Sequence, residues 1–344
     1  MHEVDLPLKG GGTFDWHVVN PFGVLNFYAK HSPGFCAALK ATLGRHPSSP
    51  RTPWRVIYYA DEACPSSMLT ALPSRKAWSI YWSFEEFGPE YLCREAFWFL
   101  GGVLRLDNVK LLEGGAASAF RRHLQCSWDA RQDMLQHGVT VHLQEAESLM
   151  LFATLSQTLA DNDAIRAMWS LKGSSGIRCC PLCWNIVGAR ADLVLGAGSA
   201  IRDIRCVSAS DFKFHTNESM WATAERIAAA DRAEREGMQK RHGVKHNPHG
   251  LLLTHSLRHV ARPADVISFD SQHVFLVNGA ANVELNLFMK RCEADDRLLT
   301  WEFIATAVER WNWPTAVERP KAIAGPQTKD LSKAAPLHSS ASTQ

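Results

Sequence analysis

Hydrophobic positions along this chain fall into short dense runs parted by glycine, proline and serine, and two of those runs stop at an aspartate. Trp54-Arg55-Val56-Ile57-Tyr58-Tyr59-Ala60-Asp61 is rich in β-branched and aromatic side chains, the composition of a strand. Residues 47–53 before it, dense in Ser, Pro and Arg, form a loop. Residues 1–50 mix turn signals with one helix candidate, 35–43, stopped by Gly44. After Asp61 the aromatics of 77–84 predict a second strand. Residues 96–106 fit either a strand or a helix, and the adjacent Gly101 and Gly102 weigh against the helix. From 116 to about 136, Phe120, Leu124, Trp128 and Leu135 recur at near-helical spacing, and Gly138 stops the pattern. Residues 139–143 then lead to a fourth apolar run, 149–161, which ends at Asp161.

Beyond Asp161, residues 164–169 predict a short helix broken by Gly173-Ser174-Ser175-Gly176, and Cys180-Pro181-Leu182-Cys183 follows. Residues 219–240 predict a long helix whose Glu/Arg pattern marks a solvated face. A short apolar run, 266–270, ends in Asp270, and 280–291 and 299–311 predict two closing helices. The order strand with Asp, strand, strand, helix, strand with Asp is the chain order of a ribonuclease-H-like α/β core. In that core the first and fourth strands lie side by side. The expected organisation is an N-terminal segment (1–52), the first part of such a core (53–165), and an insertion carrying Cys-x-x-Cys and a helix (166–265). A closing part (266–318) and a tail lacking apolar periodicity, expected to be disordered (319–344), complete it.

Composition narrows the function classes. Across 344 residues, 46% hydrophobic and 21% charged positions with 12 Trp supply ample core for a folded protein. A formal charge of +2 excludes a global basic field, so nucleic acid would have to be met by local patches. Nine cysteines, an odd number, and a polar, charged start favour a reducing compartment, where paired cysteines serve as metal ligands more often than as disulfides. No apolar stretch has the length and purity of a membrane span, which predicts a soluble intracellular protein without a membrane partner. A classical basic nuclear-import cluster is absent, and nucleus and cytoplasm both stay open.

Each candidate residue has an ordinary reading beside its chemical one. Cys180 and Cys183 supply half of a tetrahedral zinc site or form a reduced, buried pair; Cys179 either joins the ligands or packs. Completion of the zinc site would fall to His255, His259 or His273. Asp61, with Glu62 beside it and Pro65 four residues on, is a strand-end turn acid or a catalytic carboxylate. Asp161 is a helix N-cap, a catalytic carboxylate, or both. Asp270 and His273 form an Asp-x-x-His unit that either shares a metal or serves turn chemistry. Glu284, among Val283, Leu285 and Leu287, lies on a solvated helix face or is a buried acid, and Glu302 is a weaker counterpart. The five histidines between His242 and His259 read as a solvated loop with one or two functional members.

Taken in order, these segments resemble the transposase core of CACTA-type and related cut-and-paste DNA elements, which carry a ribonuclease-H-like catalytic domain. Asp61 with Pro65 resembles the family's first aspartate block. Asp161 with Ala164, Leu171-Lys172-Gly173-Ser174-Ser175-Gly176 and Cys180-Pro181-Leu182-Cys183 resembles the second, and Asp270 with His273 resembles the Asp-x-x-His block. The antigen-receptor recombinase and its transposon relatives show a similar order. The likeness spans residues 53–291, while a recognisable N-terminal DNA-binding domain and a motif fixing the third acid are missing.

The resemblance implies DNA strand cleavage and strand transfer, with Mg²⁺ or Mn²⁺ held by Asp61, Asp161 and a third acid. Glu284 is assigned as that acid because it follows the Asp-x-x-His unit in a helix, and Asp270 and His273 are further metal candidates. Structural Zn²⁺ at Cys180 and Cys183 would pin the insertion. Arg75, Lys76, Lys172, Arg178 and Lys245 would neutralise DNA phosphates. Partners would be transposon ends and target DNA, self-association into a homo-oligomer is allowed, and an active enzyme would be nuclear. The competing expectations are a catalytically inactive, zinc-stapled nucleic-acid-binding or scaffold domain derived from a transposase, and a structural α/β domain with no nucleic-acid role.

Overall fold

Regular elements begin at the second residue. The computed structural model describes residues 1–63, 76–129, 131–144, 147–178, 180–186, 208–275, 280–295 and 300–312. It divides into two units, Met1–Ser268 and Phe269–Gln344. In the first, β1 (His2–Pro7) and β2 (Thr13–Val18) form an antiparallel hairpin. Helices α1 (Pro21–His31) and α2 (Pro33–Arg45) each start on a proline behind a capping side chain, Asn20 and Ser32. There follow β3 (Trp54–Ala63), β4 (Ala77–Phe84), α3 (Gly88–Leu92), β5 (Phe99–Arg105), α4 (Leu106–Leu111) and α5 (Gly115–Gln125). Next come β6 (Val139–His142), β7 (Ser148–Leu151), β8 (Ala153–Ala160), α6 (Asn162–Trp169), α7 (Asn217–Ala229), α8 (Arg232–His242), α9 (Pro263–Val266) and β9 (Ile267–Phe269). The second unit holds α10 (Ser271–Phe275), α11 (Ala280–Asp295) and α12 (Trp301–Arg310).

The fold is α/β, with a mixed five-stranded sheet in the order β5-β4-β3-β8-β9 and flanking helices. β3 runs antiparallel to β4 and parallel to β8. Alternation along the strands separates two faces. Tyr58 and Ala60 of β3 and Ile80 and Trp82 of β4 are buried on the face covered by α5, whose Phe120 and His123 rings meet Tyr58 edge-on at 5.8 and 5.4 Å. Fully burying an apolar side chain such as Phe120 contributes about 1.5–3 kcal/mol before conformational entropy is subtracted. Tyr59, Asp61, Tyr81 and Gln157 lie on the opposite face and stay part-exposed.

The glycine pair that argued against a helix at 96–106 has a packing cause. A Cβ on Gly101 would sit 2.6 Å from the His123 ring, and one on Gly102 2.6 Å from the Trp16 ring. Strand β5 is smooth there so that two rings can rest on its backbone.

Three segments differ from their sequence reading. The apolar run 149–161 is split at Phe152: β7 pairs with β6 in a separate two-stranded sheet, and β8 alone joins the main one. Ser48 Oγ accepts from the Phe152 amide at 2.8 Å, which fixes the break. The helix expected to reach 136 ends at Gln125, because Trp128 turns to donate to the Ala153 carbonyl at 3.0 Å and buried Asp133 accepts from Leu135 and Gln136 amides at 2.8 and 3.0 Å. The helix expected over 219–240 is α7 and α8, because Asp231 caps the second by accepting from the Glu234 amide at 2.8 Å.

Candidate active site at the strand ends

Asp61 and Asp161, a hundred residues apart in sequence, are brought level by sheet register. Ala60 pairs with Ala160 across the parallel β3–β8 ladder, so the two aspartates follow as the next residues on neighbouring strands. Adjacent strands lie about 4.8 Å apart. The alignment depends on one irregularity: Val56 pairs with Leu155 but Ile57 pairs with Gln157, leaving Ser156 as an extra residue in β8. Regular pairing from Trp54 and Ala153 would have set Asp61 level with Ala160. Ser156 donates to Glu85, whose other oxygen pairs with Arg55 at 3.0 Å, and Arg55 also reaches Glu86 at 3.1 Å. The bulge is thereby anchored to the turn after β4.

Both carboxylates are oriented locally. Asp61 accepts from the Tyr59 hydroxyl at 3.1 Å and from the Glu62 amide at 2.7 Å. Tyr59 is two residues back on the same face, and sequence reading assigned it no role. Asp161 caps α6: its Oδ1 accepts from the Ala164 amide at 2.6 Å. It therefore does the cap's work while its second oxygen is available for other chemistry. Two carboxylates at adjacent strand ends suit a hard divalent cation, which is commonly held by one or two carboxylates together with substrate phosphate oxygens.

Asp270, His273 and Glu284 belong to the second unit. Asp270 directly follows β9, and its carbonyl accepts from the Val274 amide at 3.0 Å. His273 lies in α10, and Glu284 is an exposed residue of α11, like Glu302 in α12.

Cys180 and Cys183 share one turn, where the Cys183 amide donates to Cys180 Sγ at 3.3 Å. That turn pairs with residues 213–215: the Trp184 backbone amide donates to the Lys213 carbonyl at 2.9 Å, and the His215 backbone amide donates to the Leu182 carbonyl at 2.8 Å. Burial, and then the nearby Arg178 charge, lowers the His215 pKa and favours the neutral imidazole. Of the histidines expected to complete a zinc site, His259 instead meets buried Asp133 at 2.7 Å, and His255 lies 3.7 Å from Glu225. Among the described residues no group of three or more His, Cys, Asp and Glu side chains gathers as a metal site. Two thiolates are half of a closed structural zinc site, so the described donors do not complete one. Cys179, Pro65, Arg75 and the tail at 319–344 lie outside the described residues.

No helix among the described residues is long and apolar enough to cross a membrane. No family model matches this sequence, and no curated protein matches it significantly.

Proposed function

We propose that the chain is a transposase-like nuclease on a ribonuclease-H-like frame, cleaving and joining DNA strands at Asp61 and Asp161. The observation that supports this reading is the pairing of Ala60 with Ala160, after which Asp61 and Asp161 are the next residues of two neighbouring parallel strands. Mg²⁺ or Mn²⁺, when bound, would supply the charge that stabilises attacking and leaving phosphate oxygens. Asp61 and Asp161 would hold it, and Tyr59 would keep Asp61 turned toward it. The sequence pattern adds Glu284 as a third acid and Asp270 and His273 as further donors; they belong to the second unit, and the proposal rests on Asp61 and Asp161 without them.

In the reaction so assigned, a water oxygen attacks phosphorus and the bond from phosphorus to the 3′-oxygen breaks. The water's proton passes to the departing 3′-oxygen, leaving a 3′-hydroxyl and a 5′-phosphate. That 3′-hydroxyl then attacks the phosphorus of a target-strand phosphodiester. As the new P–O bond forms, the bond from that phosphorus to the target's own 3′-oxygen breaks, and the attacking hydroxyl's proton passes to the departing 3′-oxygen.

A second reading is a domain that binds nucleic acid without cutting it; the turn at Cys180 and Cys183 would give it two of the four ligands a zinc staple needs. One experiment separates the two. Wild type should nick supercoiled plasmid with Mg²⁺ or Mn²⁺, and Asp61→Asn should lower the rate on the order of 10³-fold, the scale of losing one main electrostatic stabiliser. Plasmid that stays intact with either metal, while salt-sensitive DNA binding persists, would leave the binding module.

A further inference from the structure

We propose that a cavity at the far end of α6 from Asp161 binds a phosphodiester of the DNA strand. This rests on the nucleic-acid reading above and names a contact outside the strand-end acids. The cavity measures about 430 Å³ and is walled by the start of α5, the last turn of α6 and residues 245–249. At about 30 Å³ per water it has room for on the order of fourteen waters, more than a bare phosphate fills and enough for a phosphate with its sugar.

Its charge selects an anion. Arg166 lines it from α6, and Lys245 lines it from a segment whose amide donates to the Ser170 carbonyl at 2.7 Å just past that helix. Burial, and then the Lys172 and Arg166 charges, lowers the Lys245 pKa against the raising effect of Asp163. Of the cations that sequence pattern offered for phosphate contact, Lys76 is paired with Glu62 at 3.0 Å and Lys172 with Glu236 at 3.2 Å. The Lys245 ammonium has no hydrogen bond or ion pair to a described residue. Arg166 spends one terminal nitrogen on Asp163 at 3.0 Å, and its Nε is turned away from the cavity against Gly173. Glu113 is the opposing acid on the wall, and His249 lies 3.5 Å from it.

The walls are built to hold this shape. Gly173 has φ +55 and lies so close that a Cβ there would sit 1.9 Å from Arg166 Nε, so only glycine leaves room for the guanidinium. Asn247 ties the three walls together. Its Nδ2 donates to the Gly114 carbonyl at 3.1 Å and to Ser170 Oγ at 2.9 Å, and its Oδ1 accepts from the His249 amide at 3.0 Å. Ser170, with φ 56, is the one non-glycine in left-handed backbone among the described residues. Such a residue costs about 1–2 kcal/mol and persists where its surroundings hold it. The first turn of α5, which lacks a side-chain cap, adds amides and the positive end of a helix dipole to the same cavity.

Position fits a strand running past the acids. The eight residues of α6 span about 12 Å between Asp161 and Ser170. At 3.4 Å per nucleotide step, that is about three to four steps along a strand.

The test is DNA affinity against salt for the full chain, wild type against Lys245→Gln, with Lys245→Arg as the charge rescue. One phosphate contact contributes about 0.9 to the slope of log K against log salt. Between 50 and 200 mM salt, Lys245→Gln should therefore lose about 3.5-fold less affinity than wild type, and Lys245→Arg should restore the wild-type slope. An unchanged slope in Lys245→Gln, with DNA still bound and nicked, would overturn the cavity and leave the proposed function standing. Wild type that binds no DNA would count against that function instead. Thymidine 5′-monophosphate would then decide the cavity: Lys245-dependent binding keeps a phosphate site with a free nucleotide as its source and overturns the strand contact, and no binding overturns both.

Discussion

On one face of the central sheet Tyr58, Ala60, Ile80 and Trp82 are shut from solvent beneath α5, whereas on the other Tyr59, Asp61, Tyr81 and Gln157 remain part-exposed. The same strands supply both sets, one residue out of step. The buried face fixes where each strand sits, because sliding a strand by one residue would turn its apolar side chains outward. The part-exposed face inherits that position with much less apolar packing of its own, chiefly Ile57. Asp61 and Asp161 are thus aligned by forces acting on the other side of the sheet.

His123 is where the buried face can be broken most severely without touching the acids. Its ring is fully buried, both nitrogens lack a hydrogen-bond partner, and burial lowers its pKa from 6.5 to about 4. The folded protein resists protonating it while the unfolded chain protonates it readily. Its contribution is therefore complete above pH 6.5 and is lost as pH falls toward 4. The shift corresponds to about 3 kcal/mol. In urea unfolding followed across that window, wild type should lose about this much more stability than His123→Leu. Parallel pH profiles for the two proteins would show that the imidazole is not held neutral by the core.

The bulge at Ser156 sharpens the comparison with a smaller effect. Buried positions in β8 are Ala153, Leu155, Thr158 and Ala160, an alternation that skips one residue. Deleting Ser156 would make the alternation regular and keep Gln157 opposite Ile57, so Asp161 should stay level with Asp61. The expected cost is the bond to Glu85, about 1 kcal/mol, with nicking retained. A folded deletion variant that cannot nick would mean that the bulge itself, and not the register beyond it, positions Asp161.

What sequence pattern revealed follows the same division. β3 and β4 were legible because aromatic and β-branched side chains mark a pleated, buried surface. α6 was legible from Asp161 and the residues after it. The β1–β2 hairpin was not, although Glu3-Val4-Asp5-Leu6 and Phe14-Asp15-Trp16-His17-Val18 alternate polar with apolar, because each run is only six residues long and half-covered. α1 had a readable start in Asn20-Pro21, but its apolar side chains lie on several faces, Phe27 and Tyr28 among the exposed ones, so no single stripe stands out. The two acids could be named singly, yet their alignment depends on a register that no local pattern contains. The Lys245 cavity was hidden for a similar reason: which cations are already paired is decided by contacts distant in sequence.

The smallest effect is the one that divides Asp161's two roles. As N-cap it accepts from the Ala164 amide, and asparagine can do the same. Asp161→Asn should therefore cost only a few tenths of a kcal/mol in urea unfolding, while Asp161→Ala should cost about 1 kcal/mol. Nicking should respond differently, because the amide cannot carry the carboxylate's charge to a divalent cation. Both variants should lose cleavage to the same extent despite their unequal stabilities. Loss in proportion to stability, with Asp161→Asn still active, would reduce Asp161 to a helix cap and leave Asp61 without its partner across the ladder.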